Sequence, residues 1–255
     1  MKFRATVLLI LQSLAAFAAL AGSVSSLVWL EQRITSLPLP KTGPWPEEMQ
    51  KIPVVLVDAG HGGHDGGAVA NGAIEKHLTL EIAKRLRTEL EAAGLRVVMT
   101  REKDAFLPLE QRAALTAKHG AAAFVSVHIN TDGSGAAAEG IETYFAGKPT
   151  LSAIRQTGGK AAKQPSSEDL ASQVQKCVCA AAPGENRGIK NRDYLVIAQA
   201  TCPAVLVECG FLTNTTESAR LKDAKHQEKL ARGIATGVKL FLQSRAAAPV
   251  VLASK

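Results

Sequence analysis

The chain of 255 residues has room for one catalytic domain and a short extension, and its 46% hydrophobic content excludes wholesale disorder. The formal charge of +7 suits an anionic partner such as nucleic acid, lipid head groups or cell wall, and it is equally compatible with ordinary solubility charge. The four cysteines lack the paired C-x2-C spacing of a structural zinc site, so we interpret them as small buried hydrophobic residues.

The first 30 residues have the pattern of an export signal. Lys2 and Arg4 precede an apolar run, and Ala19–Ala21 offers a cleavage site made of small residues. The apolar run is also long enough to span a bilayer. Residues 1–30 are therefore predicted to be either a signal peptide or an uncleaved membrane anchor. Because the positive charges come first, both interpretations place the rest of the chain outside the cytoplasm.

A proline-rich linker is predicted over residues 31–51, because the prolines of Leu37–Pro40 and Pro44–Pro46 cannot continue a helix. We predict that the folded catalytic domain covers residues 52–245. The alanine-rich residues 246–255 are predicted to form a flexible tail.

Strand and helix patterns alternate along the predicted domain. The predicted strands are Val54–Val57, Arg96–Thr100, Phe124–His128, Gly140–Phe145, Tyr194–Ile197 and Ala204–Val207. The predicted helices cover residues 78–90, which Gly94 closes, and then Leu109–His119, Leu170–Ala181 and His226–Gln243. The stretch Gly147–Ser166 is rich in glycine, lysine, serine and proline, so we expect a loop there.

This alternation favours an α/β fold with helices on both faces of a mostly parallel sheet. Functional sites in such sheets form where loops leave the carboxyl ends of the strands. His61 follows the first predicted strand, His128 ends the third and Glu208 ends the last. We therefore expect these three side chains to lie near one edge of the sheet.

The loop Asp58–Gly67 is half glycine, so its backbone can turn sharply and expose an imidazole. It lacks the G-K-[ST] ending of a phosphate-binding P-loop and the context of a dinucleotide site. Taken alone, a histidine after a strand is more often a core or surface residue than a metal ligand. The assignment of His61 therefore depends on residues from other elements.

Three such residues have spacing that suits catalytic chemistry. Glu75 opens the first helix, where a lone glutamate would merely complement the helix dipole. His128 closes an apolar strand, and its burial without a partner would be costly. Together with His61 they match the ligand set of a catalytic zinc that keeps one position open. Glu208 closes a buried strand and needs a metal, donor or proton to serve.

These motifs together resemble the zinc-dependent N-acetylmuramoyl-L-alanine amidases of the type-3 family. The resemblance covers about Val54–Leu242. It is carried, in the family's order, by the G-H-G-G loop, the Glu-Lys helix start, Thr100-Arg101, S-x-H-x-N, G-x-E and the segment Pro203–Asn214. It implies one domain with a mixed six-stranded sheet flanked by helices. It also implies cleavage between the lactyl group of muramic acid and L-alanine.

Carried over position by position, the resemblance implies that His61, Glu75 and His128 bind Zn²⁺ and that Glu208 is the general base. Zinc suits this reaction, because it lowers the pKa of bound water and polarises the amide carbonyl. His64 is the nearest rival of His61 as a ligand. Two further residues, Arg101 and Asn130, are expected either to contact the substrate or to orient the ligands.

The alternative reaction on this scaffold is cleavage of stem peptides by a zinc peptidase. A wall-binding module without chemistry is disfavoured because the ligand set is complete. A nucleic-acid binder is disfavoured by the export signal and by the lack of aromatic residues among basic ones. The expected partner is peptidoglycan, and the N-terminal apolar segment is a candidate anchor. Family members regulated by partner proteins carry a helix that blocks the zinc; Gly147–Ser166 lacks the apolar stripe such a helix needs.

Overall fold

The computed structural model of the protein describes residues 52–133, 138–147 and 166–247, and side chains up to residue 245. The predicted signal or anchor, the proline-rich linker and most of the tail lie outside the described residues. The same holds for residues 148–165, so the prediction that no helix blocks the site stays a prediction. Within the described ranges, no helix combines the length and apolar character needed to cross a lipid bilayer.

Six strands form one mixed sheet in the order β4-β1-β5-β8-β6-β7. They are β1 (Val54–Ala59), β4 (Arg96–Met99), β5 (Ala123–Asn130), β6 (Ile141–Phe145), β7 (Asn186–Asn191) and β8 (Ala204–Phe211). The first four strands in the sheet order are parallel, β6 runs antiparallel to β8, and β7 is parallel to β6. The predicted mixed, mostly parallel sheet is therefore confirmed. A two-stranded hairpin of β2 (Val69–Ala70) and β3 (Ala73–Ile74) precedes the first helix.

Helices cover both faces of the sheet, as predicted. The described helices are α1 (Glu75–Ala92), α2 (Leu109–Lys118), α3 (Ser167–Ala181), α4 (Leu195–Ala198), α5 (Thr215–Lys222) and α6 (Ala224–Ala247). Ser166 starts α3 with a capping box, because its hydroxyl accepts from the Asp169 amide while the Asp169 carboxylate accepts from the Ser166 amide. Asn214 caps α5 by accepting from two amides of its first turn.

The alternation of side chains along the strands divides the core into two layers. Val55, Val125 and Val205 face the layer under α1, α3 and α6. Leu56, Phe124 and Leu206 face the opposite layer, which α2 and α4 cover. The helices of this second layer have 10 and 4 residues, whereas those of the first have 18, 15 and 24. Among the described residues, the second face of the sheet is therefore covered by shorter helices than the first.

The predicted strand Tyr194–Ile197 is wrong, because its last three residues lie in the short helix α4. A run of four apolar residues does not distinguish a strand from a buried helical turn. Here Val196 and Ile197 are buried against the second core layer, and packing decides the conformation. The strand that does occupy this part of the sheet, β7, begins at Asn186; it is polar, lies at the sheet edge and was not predicted.

The predicted ends of two strands are also corrected. β5 continues two residues past His128, and β8 continues three residues past Glu208. Residues further along both strands, such as Ile129 and Cys209, are buried, so the ladder continues after the polar side chain. His128 and Glu208 therefore project from a face of the sheet near the carboxyl ends of their strands, but they are not the last residues of those strands.

Candidate metal centre and active site

Three side chains from three separate elements meet at one point above the sheet. His61 lies in the loop after β1, Glu75 opens α1, and His128 projects from β5. His61 Nε2 lies 3.2 Å and His128 Nδ1 lies 3.1 Å from the same oxygen, Oε1 of Glu75. One potential ligand atom from each residue lies within 4.8 Å of the others. Within the described part of the chain, this is the one group of three potential metal ligands that converge in this way.

Glu75 is held in place by backbone amides as well as by the two imidazoles. Its Oε2 accepts from the Ala68 amide at 2.8 Å, and its Oε1 accepts from the Ile129 amide at 2.9 Å. Burial alone would raise the pKa of the Glu75 carboxyl, but hydrogen bonds from His128 and His61 hold it well below its usual range. Glu75 is therefore a fixed carboxylate at neutral pH.

His61 is oriented through its second nitrogen. Its Nδ1 lies 2.8 Å from Oδ2 of Asp65, which leaves Nε2 facing Glu75. Burial alone would lower the pKa of His61, but Glu75 and Asp65 outweigh this effect and raise it to about 8. A carboxylate on one nitrogen of a metal-binding histidine fixes the tautomer and raises the basicity of the other nitrogen. Asp65 therefore prepares His61 to act as a ligand.

Two buried arginines hold the loop that carries His61. Arg112 donates to the carbonyls of Ala59 and His61, both at 2.7 Å, and pairs with Asp58 at 2.9 Å. Arg101 donates to the carbonyls of Ala59 and Gly60 at 2.9 and 2.7 Å. His61 has a φ of 61°, a left-handed conformation that costs a non-glycine residue about 1–3 kcal/mol. The guanidinium groups stabilise this unusual turn.

Glycine is required at two positions of the same loop by close packing. A Cβ at Gly60 would lie 2.4 Å from the ring of His128. A Cβ at Gly67 would lie 2.5 Å from Oε2 of Glu75 and 2.6 Å from the ring of His61. Both clashes would fall on the three converging side chains. The glycines therefore allow the loop to close tightly around them.

Glu208 is the neighbour of His128 in the sheet. The two residues are paired across β5 and β8, and Glu208 is paired on its other side with Glu142 of β6. Glu208 is partly exposed, but its Oε2 is buried and has no hydrogen-bond partner among the described residues. Burial is the main cause that raises its pKa to about 7. A carboxyl group with this pKa can take up and release a proton near neutral pH.

Arg101 and Asn130, whose roles the sequence leaves open, make structural contacts in the described residues. Arg101 is buried and bonds to backbone carbonyls, so it orients the loop of His61. Asn130 donates to Oε1 of Glu142 at 2.8 Å, so it fixes that carboxylate beside Glu208. His64, the rival ligand, is exposed and stacks on Phe106 with ring centroids 4.1 Å apart, outside the converging group.

Sequence reasoning missed several residues that shape the site, above all Asp58, Asp65 and Arg112. Asp65 had an available signal, since a carboxylate four residues after a candidate histidine ligand can orient it. Asp58 accepts from Thr100 and Ser126 hydroxyls, both at 2.6 Å, and from Arg112. These partners come from distant parts of the chain, so only the folded structure shows them together.

The converging residues fit a zinc ion. Two imidazoles and one carboxylate are the donor types of catalytic zinc sites. Ligand atoms about 2.0–2.2 Å from a tetrahedral zinc lie roughly 3.3–3.5 Å from one another. The separations of 3.2 and 3.1 Å between the imidazole nitrogens and Glu75 Oε1 are close to this range. The unpartnered oxygen of the adjacent Glu208 also indicates that a polar species belongs there.

Comparison with known families agrees with this geometry. The model of the N-acetylmuramoyl-L-alanine amidase family matches residues 55–240, nearly the whole described domain. The chain belongs to this family. It is therefore an N-acetylmuramoyl-L-alanine amidase in enzyme class, and the resemblance seen in the motifs is confirmed. Peptidoglycan is the substrate that this class acts on.

Individual relatives support the assignment. YqiI of Bacillus subtilis (strain 168) is 35% identical over 184 residues, which cover 72% of this amidase and 82% of YqiI. The amidase LytC of the same organism is 36% identical over 183 residues, which cover 72% of this chain and 34% of LytC, so the match spans about a third of that protein. A crystal structure of an N-acetylmuramoyl-L-alanine amidase from Clostridium difficile 630 superposes with a TM-score of 0.68 and 34% identity. The superposition covers 76% of this chain and 98% of that one.

Proposed function

We propose that this amidase is a zinc enzyme whose metal is held by His61, Glu75 and His128. The observation that carries the proposal is the convergence of these three side chains, from three elements, next to Glu208, whose Oε2 is buried. Two imidazoles and one carboxylate leave one position open for water or substrate. When bound, zinc would lower the pKa of a water molecule and polarise the amide carbonyl.

Glu208 is proposed as the general base and then the general acid. It accepts a proton from the attacking water and returns it to the amine of L-alanine as the carbon–nitrogen bond breaks. An amine is a poor leaving group until it is protonated, so this transfer is essential. The raised pKa near 7 suits both halves of the transfer. The glycan leaves with the lactyl carboxylate, and the peptide leaves with a free amino terminus.

The proposed place of action is the cell wall outside the cytoplasm. The support for it is the charged and apolar N-terminal sequence together with the activity of the family, whose substrate is peptidoglycan. Either a cleaved signal or an uncleaved anchor would bring the domain to this substrate. Cell fractionation distinguishes a cleaved signal from an uncleaved anchor, because only an anchor leaves the full-length chain in the membrane.

The test of this proposal is Glu208→Gln in the full chain. We expect the purified wild type and the variant to bind about one zinc per chain by elemental analysis. Loss of the base should slow hydrolysis of peptidoglycan by about 10²–10⁴-fold. Glu228→Gln, an exposed change on α6, is the matched control and should keep wild-type activity.

Two results would contradict the proposal. Wild-type protein that is fully active without zinc would remove the metal role. A Glu208→Gln variant with wild-type turnover would remove the base role while leaving the metal role to be judged by the zinc content.

A further inference from the structure

A charged cluster lies one strand beyond Glu208 on the same face of the sheet. Its centre is Glu142, which is the cross-strand partner of Glu208. The side chain of Glu142 is only 2% exposed. Oε2 of Glu142 accepts from Arg187 Nε at 2.9 Å and from Lys190 Nζ. The two cations come from β7, the edge strand next to β6. The catalytic region is thus flanked by a pair of fixed positive groups.

Both oxygens of the Glu142 carboxylate accept hydrogen bonds, so the carboxylate holds several donors at once. Its other oxygen, Oε1, accepts from Asn130 and from the hydroxyl of Tyr144. The two cations thus share one carboxylate, and Arg187 also lies in the field of Glu185. Burial would raise the pKa of the Glu142 carboxyl, but its hydrogen bonds with Lys190, Tyr144 and Arg187 lower it. The negative member of the cluster stays ionised at neutral pH.

Arg187 and Lys190 retain donors that can reach a ligand. Their side chains are 30% and 36% exposed, unlike the buried carboxylate that holds them. Within the described residues, Lys190 gives one hydrogen bond, and Arg187 gives Nε to Glu142 and one Nη1 bond to the Glu139 carbonyl. An ammonium has three donor protons and a guanidinium has five. Several N–H groups therefore stay available toward solvent.

The two cations are also preorganised by aromatic rings. The guanidinium of Arg187 lies 4.9 Å from the ring centroid of Phe211, and the ammonium of Lys190 lies 5.8 Å from that of Tyr144. Such cation–π contacts, together with the shared carboxylate, restrict both side chains. A ligand that binds them then loses less side-chain entropy than it would with free surface lysines.

We propose that Arg187 and Lys190 form a subsite for a carboxylate on the peptide side of the scissile amide. This inference rests on the proposed function. The lactyl carboxyl of the muramoyl group is consumed in the amide, so free carboxylates of the substrate lie on its peptide. Adjacent strands are about 4.8 Å apart, and one extended residue spans about 3.5 Å. The charged ends of Arg187 and Lys190 meet Glu142 on β6, one strand from Glu208. The subsite therefore binds a carboxylate on the first or second residue after L-alanine.

The experiment compares two soluble substrates that differ in one group. Both are N-acetylmuramoyl-L-alanyl peptides, and the residue after L-alanine carries either a free carboxylate or its carboxamide. We expect the wild type to hydrolyse the carboxylate form with about tenfold higher kcat/KM, mainly through KM, because a charge-assisted hydrogen bond is lost with the carboxamide. In Lys190→Gln this preference should fall toward one.

Lys239→Gln is the matched control, since it removes the same charge from the exposed side of α6, and it should keep the tenfold preference. Zinc content and thermal unfolding check that Lys190→Gln is folded. Equal hydrolysis of both substrates by the wild type, or an unchanged preference in Lys190→Gln, would overturn the subsite.

Failure of the proposed function gives a different result, which is no turnover of either substrate by zinc-loaded wild type. The subsite is then judged by calorimetric binding of the two L-alanyl peptides themselves, carboxylate and carboxamide. Tighter binding of the carboxylate peptide to the wild type, lost in Lys190→Gln, supports the subsite. Equal binding contradicts it.

Discussion

Asp65 shows at the scale of a single residue how the site depends on groups that never touch the metal position. It accepts the Nδ1 proton of His61 through Oδ2, while its Oδ1 accepts from the Gly67 amide at 3.0 Å. The side chain thus ties the imidazole to the turn that brings Gly67 beside Glu75. Such a residue acts through His61, so it is a positioning residue.

Asp65→Ala is therefore expected to weaken zinc binding by about 10–100-fold, the usual effect of losing a group that orients a ligand. The measurement is competition for zinc with a chromophoric chelator of known affinity. Asp65→Asn keeps an oxygen acceptor and should recover part of the lost affinity. Zinc affinity equal to wild type in Asp65→Ala would show that His61 needs no such support.

The loop between β1 and α1 is the element on which the site depends most. Its turn combines a left-handed histidine with several glycines, and two arginines bind its carbonyls. Arg112 is also among the largest fully buried side chains, and it pairs with the buried Asp58. A buried ion pair adds little net stability, but removing one partner leaves an uncompensated charge.

Arg112→Met should therefore lower the free energy of unfolding by about 3–5 kcal/mol, because Asp58 stays buried without its cation. Chemical denaturation of the zinc-free protein measures this loss without any contribution from bound metal. The double variant that adds Asp58→Asn should recover part of it. A loss below about 1 kcal/mol in Arg112→Met would mean that Asp58 finds other compensation.

The crossing of α6 over α3 is a second element-scale feature with a simple test. Gly233 and Gly237 lie where the helices touch, and a Cβ at Gly237 would lie 2.5 Å from the Cα of Val174. A clash with backbone cannot be relieved by a side-chain rotation. Glycine is otherwise unfavourable in a helix by about 1 kcal/mol relative to alanine. Close packing here outweighs helix propensity.

Gly237→Ala is expected to destabilise the protein by about 1–3 kcal/mol, although alanine is the better helix former. Thermal or denaturant unfolding measures the change. Thr236→Ala, its exposed neighbour in α6, is the control and should change stability by less than about 0.5 kcal/mol. Increased stability of Gly237→Ala would show that the helices separate without cost.

Element predictions from the sequence succeeded where a pattern is long and failed where tertiary contacts decide. The amphipathic helices around Leu86 and Ile234 show their buried face directly in the sequence. The short run Tyr194–Ile197 has no such length, and burial in the second core layer makes most of it helical. Among the described strands, polar β7 lies at the edge of the sheet beside β6, so its sequence lacks the apolar character of a central strand.

At the scale of the whole molecule, the sheet brings together residues that are far apart in sequence. His128, Glu208 and Glu142 form one row across β5, β8 and β6. The motifs indicated which residues to group, because histidine and glutamate at strand and helix boundaries are costly without a partner. Their common face, the cluster around Glu142 and the arginines behind the loop depend on strand order and register, which no single motif contains.

The described helices cover the two faces of the sheet unevenly. Within the described ranges, α1, α3 and α6 pack on one face, and the shorter α2 and α4 pack on the other. Tyr194, just before α4, is 43% exposed and contacts Tyr144 with ring centroids 5.1 Å apart. Tyr144 lies two residues from Glu142 on β6, so we expect the substrate to approach the row of His128, Glu208 and Glu142 from this face.

The most direct test of the central claim is the chemistry of the bond that is cut. Purified peptidoglycan is digested with the zinc-loaded full chain, new amino groups are labelled, and the fragments are identified by mass spectrometry. Hydrolysis at the muramoyl amide predicts labelled L-alanine at the start of complete stem peptides and unmodified glycan strands with free lactyl carboxyls. Label on later residues of the stem, with L-alanine still joined to muramic acid, would contradict the account and identify the enzyme as a peptidase.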